Sequence, residues 1–274
     1  MFWTRLFSGI ILLVIAIASM AVGGPVLAGV LLVISLIAYR ELTKAFQVNV
    51  QEKGFNVLEM IGFVGVFCYY LSVYLGDGDT MRLMCLVGVF MAEMFAYVIL
   101  FPRFEWGHVV PAVFAFLYAP LMLSFVYLTR ELPYGIYMVW LILISSWGCD
   151  TCAYAVGMLI GKKKIFPVLS PKKSLEGCIG GTLGAALIGG VYAYLVVDKA
   201  IVDQNVVWII AFICGAGAVM SMVGDLAASA IKRNVGIKDY GKLIPGHGGI
   251  MDRFDSMIVT APMIYFLTNL MIQF

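Results

Sequence analysis

Long apolar runs separated by short polar segments recur along the whole chain. A membrane-spanning helix needs about 20 mostly apolar residues to cross roughly 30 Å of hydrocarbon. Gly23, Gly24 and Pro25 predict a tight hairpin between the first two runs, and Pro111 and Pro120 predict a kink in the fifth. The pattern predicts an all-α, polytopic integral membrane protein of about nine transmembrane helices, over approximately residues 6–23, 25–40, 56–75, 83–101, 108–129, 135–159, 178–197, 206–230 and 254–273.

Composition supports a membrane setting. Of 274 residues, 62% are hydrophobic and only 12% are charged, about half the charged fraction of a soluble domain. A soluble core of this size cannot use so much apolar surface, so lipid must cover the excess. The first run resembles a signal peptide, but further spans follow it, so we interpret it as a retained helix. The net charge of +2 identifies no partner, and we expect no nucleic acid.

The basic residues predict the orientation. Fifteen of the 18 lysine and arginine residues lie at the N-terminus and in the even-numbered loops, whereas Arg82, Arg130 and Lys199 lie in loops three, five and seven. Since basic loops stay on the inner side, the N-terminus is expected in the cytoplasm and the C-terminus outside.

Carboxylates concentrate near the two most basic loops, residues 160–177 and 231–253. Asp150, Asp225, Asp252 and Asp255 lie in the adjoining helices. An unpaired carboxylate near the bilayer centre costs on the order of 3 kcal/mol, so several together indicate a shared counter-ion, for which a divalent metal is suited. The alternative is a structural ion-pair cluster, for instance Asp225 with Arg233. We expect a polar catalytic funnel open to the cytoplasm in residues 135–274. Residues 1–134 would form a scaffold, a lipid entry path or dimer contacts.

Helical spacing groups these side chains. Asp225, Ser229 and Lys232 follow at i, i+4 and i+7, and Asp252 and Asp255 at i, i+3, so each set shares a helix face. A similar stripe joins Asp150 to Tyr154, Gly157 and Gly161, whose small residues permit close approach by another backbone. In helix seven, Gly177/Gly181 and Gly180/Gly184 predict close helix packing. The Cys149–Cys152 pair lies in an apolar helix, a poor setting for zinc or redox chemistry.

The loop before the last helix is suited to phosphate. Residues 238–249 are rich in glycine and positive charge, so backbone N–H groups can point at phosphate oxygens, and the N-terminus of the last helix would also favour an anion. Lys172 and Lys173 offer a second phosphate-binding surface, whereas Lys162, Lys163 and Lys164 are interpreted as topology or headgroup signals. His247 could be a general base, a metal ligand or a phosphate donor, and we favour phosphate binding.

Residues 229–255 resemble the signature of phosphatidate cytidylyltransferases (CDP-diacylglycerol synthases). Each element of that signature is present: Ser229, Lys232, Arg233, Lys238, Asp239, His247, Gly248, Gly249, Asp252, Arg253 and Asp255. The segments 150–154 and 170–177 resemble the second polar region of the family. The resemblance is specific over residues 145–256.

The resemblance implies the reaction of CTP with phosphatidic acid to CDP-diacylglycerol and pyrophosphate, with Mg²⁺ and a monovalent ion such as K⁺. It also implies a homodimer in the cytoplasmic membrane. Our hypotheses make Asp225 and Asp252 ligands of the catalytic metal, with Asp150 nearby as a further ligand or as a group that supports the ligands. The remaining site residues are assigned to the substrates. Phosphate charge would be neutralised by Lys173, Lys232, Arg233 and Arg253, and the shape and hydrogen bonds of the loop would come from Asp239, His247 and Asp255. Further substrate contacts would come from Ser174, Ser229, Lys238, Gly248 and Gly249.

Three other functions fit parts of the pattern. An ion-coupled transporter is disfavoured, because transporters usually have repeat-related discontinuities at the midplane and here the polar groups gather in one half of the chain. A CTP-dependent lipid kinase would use the same residue types and release CDP, so only the leaving product separates it. A CDP-alcohol phosphotransferase would need closely spaced aspartates on one or two helices, an arrangement that the sequence lacks.

Overall fold

Helices form almost all of the regular structure. A computed structural model describes residues 2–49, 54–76, 78–201, 206–244 and 248–272, and the side chains from residue 8 onward. Its nine helices are α1 (Phe2–Val22), α2 (Gly24–Ala45), α3 (Val57–Leu75), α4 (Asp79–Ile99), α5 (Trp106–Glu131), α6 (Gly135–Ile160), α7 (Leu175–Val197), α8 (Val206–Asn234) and α9 (Met251–Met271). Within the described ranges, the only β pairing is two isolated bridges.

Eight of these helices, α2 to α9, are long and apolar enough to cross a membrane. The predicted all-α, multi-span fold is therefore confirmed for eight spans. The remaining predicted span, residues 6–23, corresponds to α1, whose apolar part is Ser8–Val22. In α4 only 17% of the apolar window is buried within the protein, so lipid or another apolar surface must cover the remainder.

Glycine and proline mark two of the predicted irregularities. α1 ends at Val22 and α2 begins at Gly24, and both Gly23 and Gly24 have positive φ angles (71° and 51°), which forms the predicted tight turn. In α5, a π-helical turn at Leu117–Leu121 contains Pro120. Proline has no N–H to donate, and a wider turn accommodates the missing hydrogen bond. α6 and α7 contain similar turns at Ile144–Gly148 and Ala193–Val197.

The chain divides into two compact units. The first comprises residues 1–127 and 235–253, and the second residues 128–234 and 254–274. The sequence placed the boundary at 134/135 and assigned all of 231–253 to the C-terminal region. In the structure, residues 235–253 group with the N-terminal helices because Glu41 on α2 binds this segment directly.

The first unit has a core of apolar side chains from α3, α4, α5 and the connecting loops. Val48, Leu58, Ala96, Val109 and Ala112 are buried together. At the start of α3, Asn56 accepts a hydrogen bond from the Glu59 N–H (2.8 Å) and Glu59 accepts one from the Asn56 N–H (3.2 Å), a capping box. Glu59 also forms an ion pair with Arg40 of α2, so this buried carboxylate is neutralised.

The second unit is built around α7, whose glycines allow close packing. A Cβ on Gly181 would lie 3.0 Å from the carbonyl oxygen of Cys149, and one on Gly184 would lie 2.6 Å from the Cys152 sulfur. The predicted glycine-mediated packing is therefore confirmed, with α6 as the partner helix. Cys149 and Cys152 contribute by filling the space above these glycines.

Candidate active site

An ion pair in the second unit joins two residues that the sequence singled out. The Lys173 Nζ lies 2.5 Å from the Asp225 Oδ2, and the two side chains are only 20% and 31% exposed. Lys173 lies in the connection between α6 and α7, and Asp225 lies on α8. Because both charges are partly withdrawn from water, each depends on the other for its stability.

Two further carboxylates surround this pair. Asp150 of α6 and Asp255 of α9 both experience electrostatic repulsion from Asp225, and Lys232 attracts Asp255. α9 approaches α8 closely because residue 224 is glycine: a Cβ there would lie 2.7 Å from the Asp255 carbonyl oxygen. We call Asp150, Asp225 and Asp255 the acidic cluster. It corresponds to the predicted convergence of carboxylates from helices six, eight and nine.

A cavity of about 480 Å³ opens beside the acidic cluster. This volume lies within the range of small-molecule sites, about 300–1,000 Å³. Its walls come from α6, the start of α7, the connection between them and Met222 of α8. They include one carboxylate and three lysines: Asp150, Lys164, Lys172 and Lys173. An anionic ligand of nucleotide size would find both space and positive charge there.

The segment 161–174, here called the lysine loop, is held in a defined shape. The Leu175 N–H donates to the Lys163 carbonyl (2.8 Å), and Lys164 forms a β-bridge with Ser174. Buried Ser174 caps α7 by accepting a hydrogen bond from the Gly177 N–H (3.2 Å). This framework directs Lys173 toward Asp225, while Lys162, Lys163 and Lys164 stay exposed. Lys173 therefore differs from the preceding three lysines in exposure, although Lys164 also lines the cavity.

The segment 238–252, here called the glycine loop, belongs to the first unit. Its residues 245–247, including His247, lie outside the described residues. The Ile244 N–H donates to the Gly248 carbonyl (2.9 Å), and Gly248 has a φ of 86°, which favours glycine. The Asp252 Oδ2 accepts hydrogen bonds from the N–H groups of Tyr240 (2.8 Å) and Gly249 (3.0 Å). Asp252 thus closes the loop on itself.

Glu41 is the site residue that sequence reasoning missed. Its carboxylate accepts hydrogen bonds from the N–H groups of Ile250 (3.1 Å) and Met251 (2.8 Å), where α9 begins. A carboxylate of the protein itself thus binds two N–H groups at the helix N-terminus, where the sequence predicted that an anion would be favoured. Phosphate binding near this end of the helix stays a prediction. The predicted second span ended at residue 40, whereas α2 continues to Ala45. Glu41 could have been noticed in the sequence, because it is an acidic residue at the end of an apolar helix.

The remaining predicted residues differ in exposure. Ser229 and Lys232, near the end of α8, are half-buried, whereas Arg233, Lys238, Asp239 and Arg253 are exposed. Gly249 is buried and Gly248 half-buried. The prediction that Asp225 and Asp252 share one ion joins residues of the two units, and it stays a prediction.

The acidic cluster suits Mg²⁺ bound in the usual way for nucleotide chemistry. Within the residues that the structure describes, no three His, Cys, Asp or Glu side chains form a ready-made cage for an ion. Mg²⁺ rarely needs one, because it is commonly held by one or two carboxylates together with water and substrate phosphates. Asp225 with a neighbouring carboxylate meets that requirement.

Fold and site together define a class: a multi-span membrane protein whose late helices carry a cluster of charged side chains beside a cavity. The model of the cytidylyltransferase family matches residues 3–271. The chain belongs to this family, whose members are nucleotidyltransferases.

Individual relatives agree with the family assignment. Over 265 residues, 96% of this chain and 97% of the relative, the chain is 30% identical to the phosphatidate cytidylyltransferase of Staphylococcus aureus strain COL. It is 38% identical to that of Thermotoga maritima over 159 residues, 57% of this chain and 58% of the relative. The resemblance predicted from residues 145–256 is therefore confirmed, and the similarity extends over the N-terminal helices.

Proposed function

We propose that the protein is a CTP:phosphatidate cytidylyltransferase, which forms CDP-diacylglycerol and pyrophosphate for phospholipid synthesis. The observation that carries this proposal is the half-buried Lys173–Asp225 ion pair, with Asp150 and Asp255 nearby, beside a cavity lined by lysines. The names of the relatives supply the substrates. A multi-span protein suits a reaction in which the acyl chains stay in the bilayer while the headgroup meets a soluble nucleotide.

The reaction requires alignment and charge neutralisation. An oxygen of the lipid phosphate attacks the α-phosphorus of CTP, the new P–O bond forms, and the bond to the bridging oxygen of the β-phosphate breaks to release pyrophosphate. A phosphate monoester has a second pKa of about 6, so the nucleophile is already ionised near neutral pH and needs no dedicated base. Lys173 neutralises phosphate charge at the reacting centre, where it is held by Asp225 and the lysine loop.

Mg²⁺ is the proposed cofactor, together with a monovalent cation such as K⁺. Asp225 would hold the divalent ion, with Asp150 and Asp252 as the further ligands predicted from the sequence. When bound, the ion would withdraw charge from the phosphate oxygens and orient the two anions. The carboxylates themselves keep the lysines in place and repel wrongly placed phosphates.

The other basic residues are proposed to bind phosphate. Lys232, Arg233, Lys238 and Arg253 would neutralise phosphate oxygens. Asp239 and His247 would shape the glycine loop and its hydrogen bonds, and Gly248 and Gly249 would contact the substrate. Ser229 and Asp255 would orient the substrate from α8 and α9. Ser174 would act from the cavity wall while it caps α7.

We further propose that the site faces the cytoplasm, where CTP is made. The N-terminus would be cytoplasmic and the C-terminus external, because 15 of 18 basic residues fall on one side of the predicted topology. The cytoplasmic membrane is the proposed location. A homodimer is proposed from the family resemblance.

The position of the isotope in the products tests the reaction. The purified protein in detergent with phosphatidate and Mg²⁺ is given CTP labelled at either the α- or the γ-phosphorus. We expect the α-label to enter the lipid and the γ-label to appear in pyrophosphate. A CTP-dependent lipid kinase would instead transfer the γ-label to the lipid and release labelled CDP from the α-labelled substrate. That result would overturn the proposal.

A further inference from the structure

Glu41 connects the end of α2 to the glycine loop through two hydrogen bonds. Its Oε1 accepts from the Ile250 N–H and its Oε2 from the Met251 N–H, at 3.1 Å and 2.8 Å. The side chain is buried, with 8% of its surface exposed. The first N–H groups of a helix have no partner within the helix and carry its positive dipole end, so a carboxylate there is stabilised.

Two glycines of the loop make room for this carboxylate. A Cβ on Gly241 would lie 2.2 Å from the Glu41 Oε1, and one on Gly249 would lie 2.4 Å from its Oε2. Neither glycine has a positive φ angle, so alanine would be tolerated by the backbone itself. Residues 241 and 249 must therefore be glycine because the Glu41 carboxylate occupies the space that a side chain would need.

Glu41 and Asp252 together account for the loop's closure. Asp252 accepts hydrogen bonds from the N–H groups of Tyr240 and Gly249. Glu41 accepts hydrogen bonds from the next two N–H groups along the chain, those of Ile250 and Met251. The two carboxylates repel each other, yet each is held by backbone donors. Removing Glu41 would leave two backbone donors without their partner at the point where the loop enters α9.

We propose that Glu41 is a positioning residue for nucleotide binding: it holds residues 248–251, at the end of the glycine loop, in the shape that receives the phosphates of CTP. This inference rests on the proposed function. Glu41 acts through the backbone of Gly249, Ile250 and Met251, which its carboxylate contacts. The N-terminal helices thereby have a defined part in the reaction beyond that of a scaffold.

Substitution of Glu41 tests the role through kinetics. Glu41→Gln keeps the shape but loses the charge and one of the two acceptor oxygens, and we expect the KM for CTP to rise roughly tenfold. The KM for phosphatidate and the melting temperature should change little. Glu41→Asp should recover part of the CTP affinity, and Glu131→Gln, on an exposed side chain, should behave as wild type. An unchanged KM for CTP in a folded Glu41→Gln protein would overturn the proposal.

A double-mutant cycle tests whether the effect passes through the loop glycines. Gly241→Ala alone should raise the KM for CTP, because its Cβ collides with the Glu41 carboxylate. In a Glu41→Ala background the nearest remaining contact is the Gly249 Cα at 3.2 Å, so the same change should have a clearly smaller effect. Gly107→Ala, with no atom within 4 Å of its Cβ, is the matched control. Multiplicative effects of the two changes would contradict a shared mechanism.

Amide hydrogen exchange tests the contact of Glu41 with the loop independently of catalysis. In Glu41→Gln, the Ile250 and Met251 amides should exchange at least severalfold faster, and the amides of α4 should not change. If Glu41→Gln exchanged these amides faster than the wild type but the wild type did not turn over CTP, the proposed function would fail while the Glu41 contact stood. If turnover were normal and exchange unchanged, the positioning role would be refuted and the function retained.

Discussion

Lys173 differs from Lys162, Lys163 and Lys164 in being partly buried and in forming an ion pair with Asp225 through its ammonium group. Lys162, Lys163 and Lys164 are exposed, whereas Lys173 reaches Asp225 and is 20% exposed. A partly buried ammonium group acts on nearby phosphate more strongly than one in water, because less solvent screens it. Position within the fold, rather than charge alone, therefore distinguishes this lysine.

Removal of the Lys173 charge should reduce turnover strongly. For Lys173→Met we expect kcat to fall on the order of 100-fold, comparable to loss of one preorganised donor to a transition state. Lys173→Arg should retain part of the activity, since the charge persists in a different geometry. The matched control is Lys199→Met, on an exposed lysine after α7, and a steady-state assay of both would reveal the difference. Equal activity of the two methionine variants would contradict the assignment.

At the scale of helices, the packing of α6 against α7 depends on which glycines face the neighbour. A Cβ on Gly181 would lie 2.9 Å from the Ala153 Cβ, whereas one on Gly190 would meet its nearest neighbour, the Ala211 Cβ, at 3.4 Å. Alanine is intrinsically better than glycine in a helix by about 1 kcal/mol. The same substitution should thus have opposite effects at the two positions.

We expect Gly181→Ala to destabilise the protein by about 1–3 kcal/mol, the usual cost of overpacking. Gly190→Ala should be neutral or slightly stabilising. Thermal unfolding in one detergent, followed by circular dichroism, compares the two variants directly. A higher melting temperature for Gly181→Ala than for wild type would show that α6 and α7 do not pack through this glycine.

The sequence predicted the helices better than it predicted where each helix ends. Apolar runs predicted the helices because lipid imposes a length and a composition on each span. Helix ends were less well predicted. Hydrophobicity falls at Arg40, but α2 continues to Ala45, where Thr43 of the last turn donates a hydrogen bond to Glu59 (3.0 Å). Glu41 was missed for this reason.

The site was predictable where carboxylates and lysines stood out against an apolar background. Asp150, Asp225, Asp255 and Lys173 could be chosen because lipid penalises charge, and the structure brings them together in one unit. The backbone contacts of Asp252 and Glu41 could not be chosen in this way. They depend on the path of the glycine loop, which residue types alone do not specify.

At the scale of the whole molecule, the two units each contribute one part of the predicted chemistry. The second unit holds the acidic cluster, Lys173 and the cavity, and the first holds the glycine loop with Glu41 and Asp252. The family match spans both, over residues 3–271. A chain truncated to residues 135–274 would lack Glu41 and therefore the two hydrogen bonds that Glu41 accepts at the start of α9.

The most direct measurement is the binding of Mn²⁺, as a spectroscopic substitute for Mg²⁺, to the intact protein in detergent with CTP, followed by electron paramagnetic resonance. We predict that the wild type and Asp198→Asn, which alters an exposed aspartate of the same unit, bind the ion equally. Asp225→Asn should lose the bound ion and the turnover together while remaining folded. Tight Mn²⁺ binding and near-normal turnover in Asp225→Asn would contradict the account.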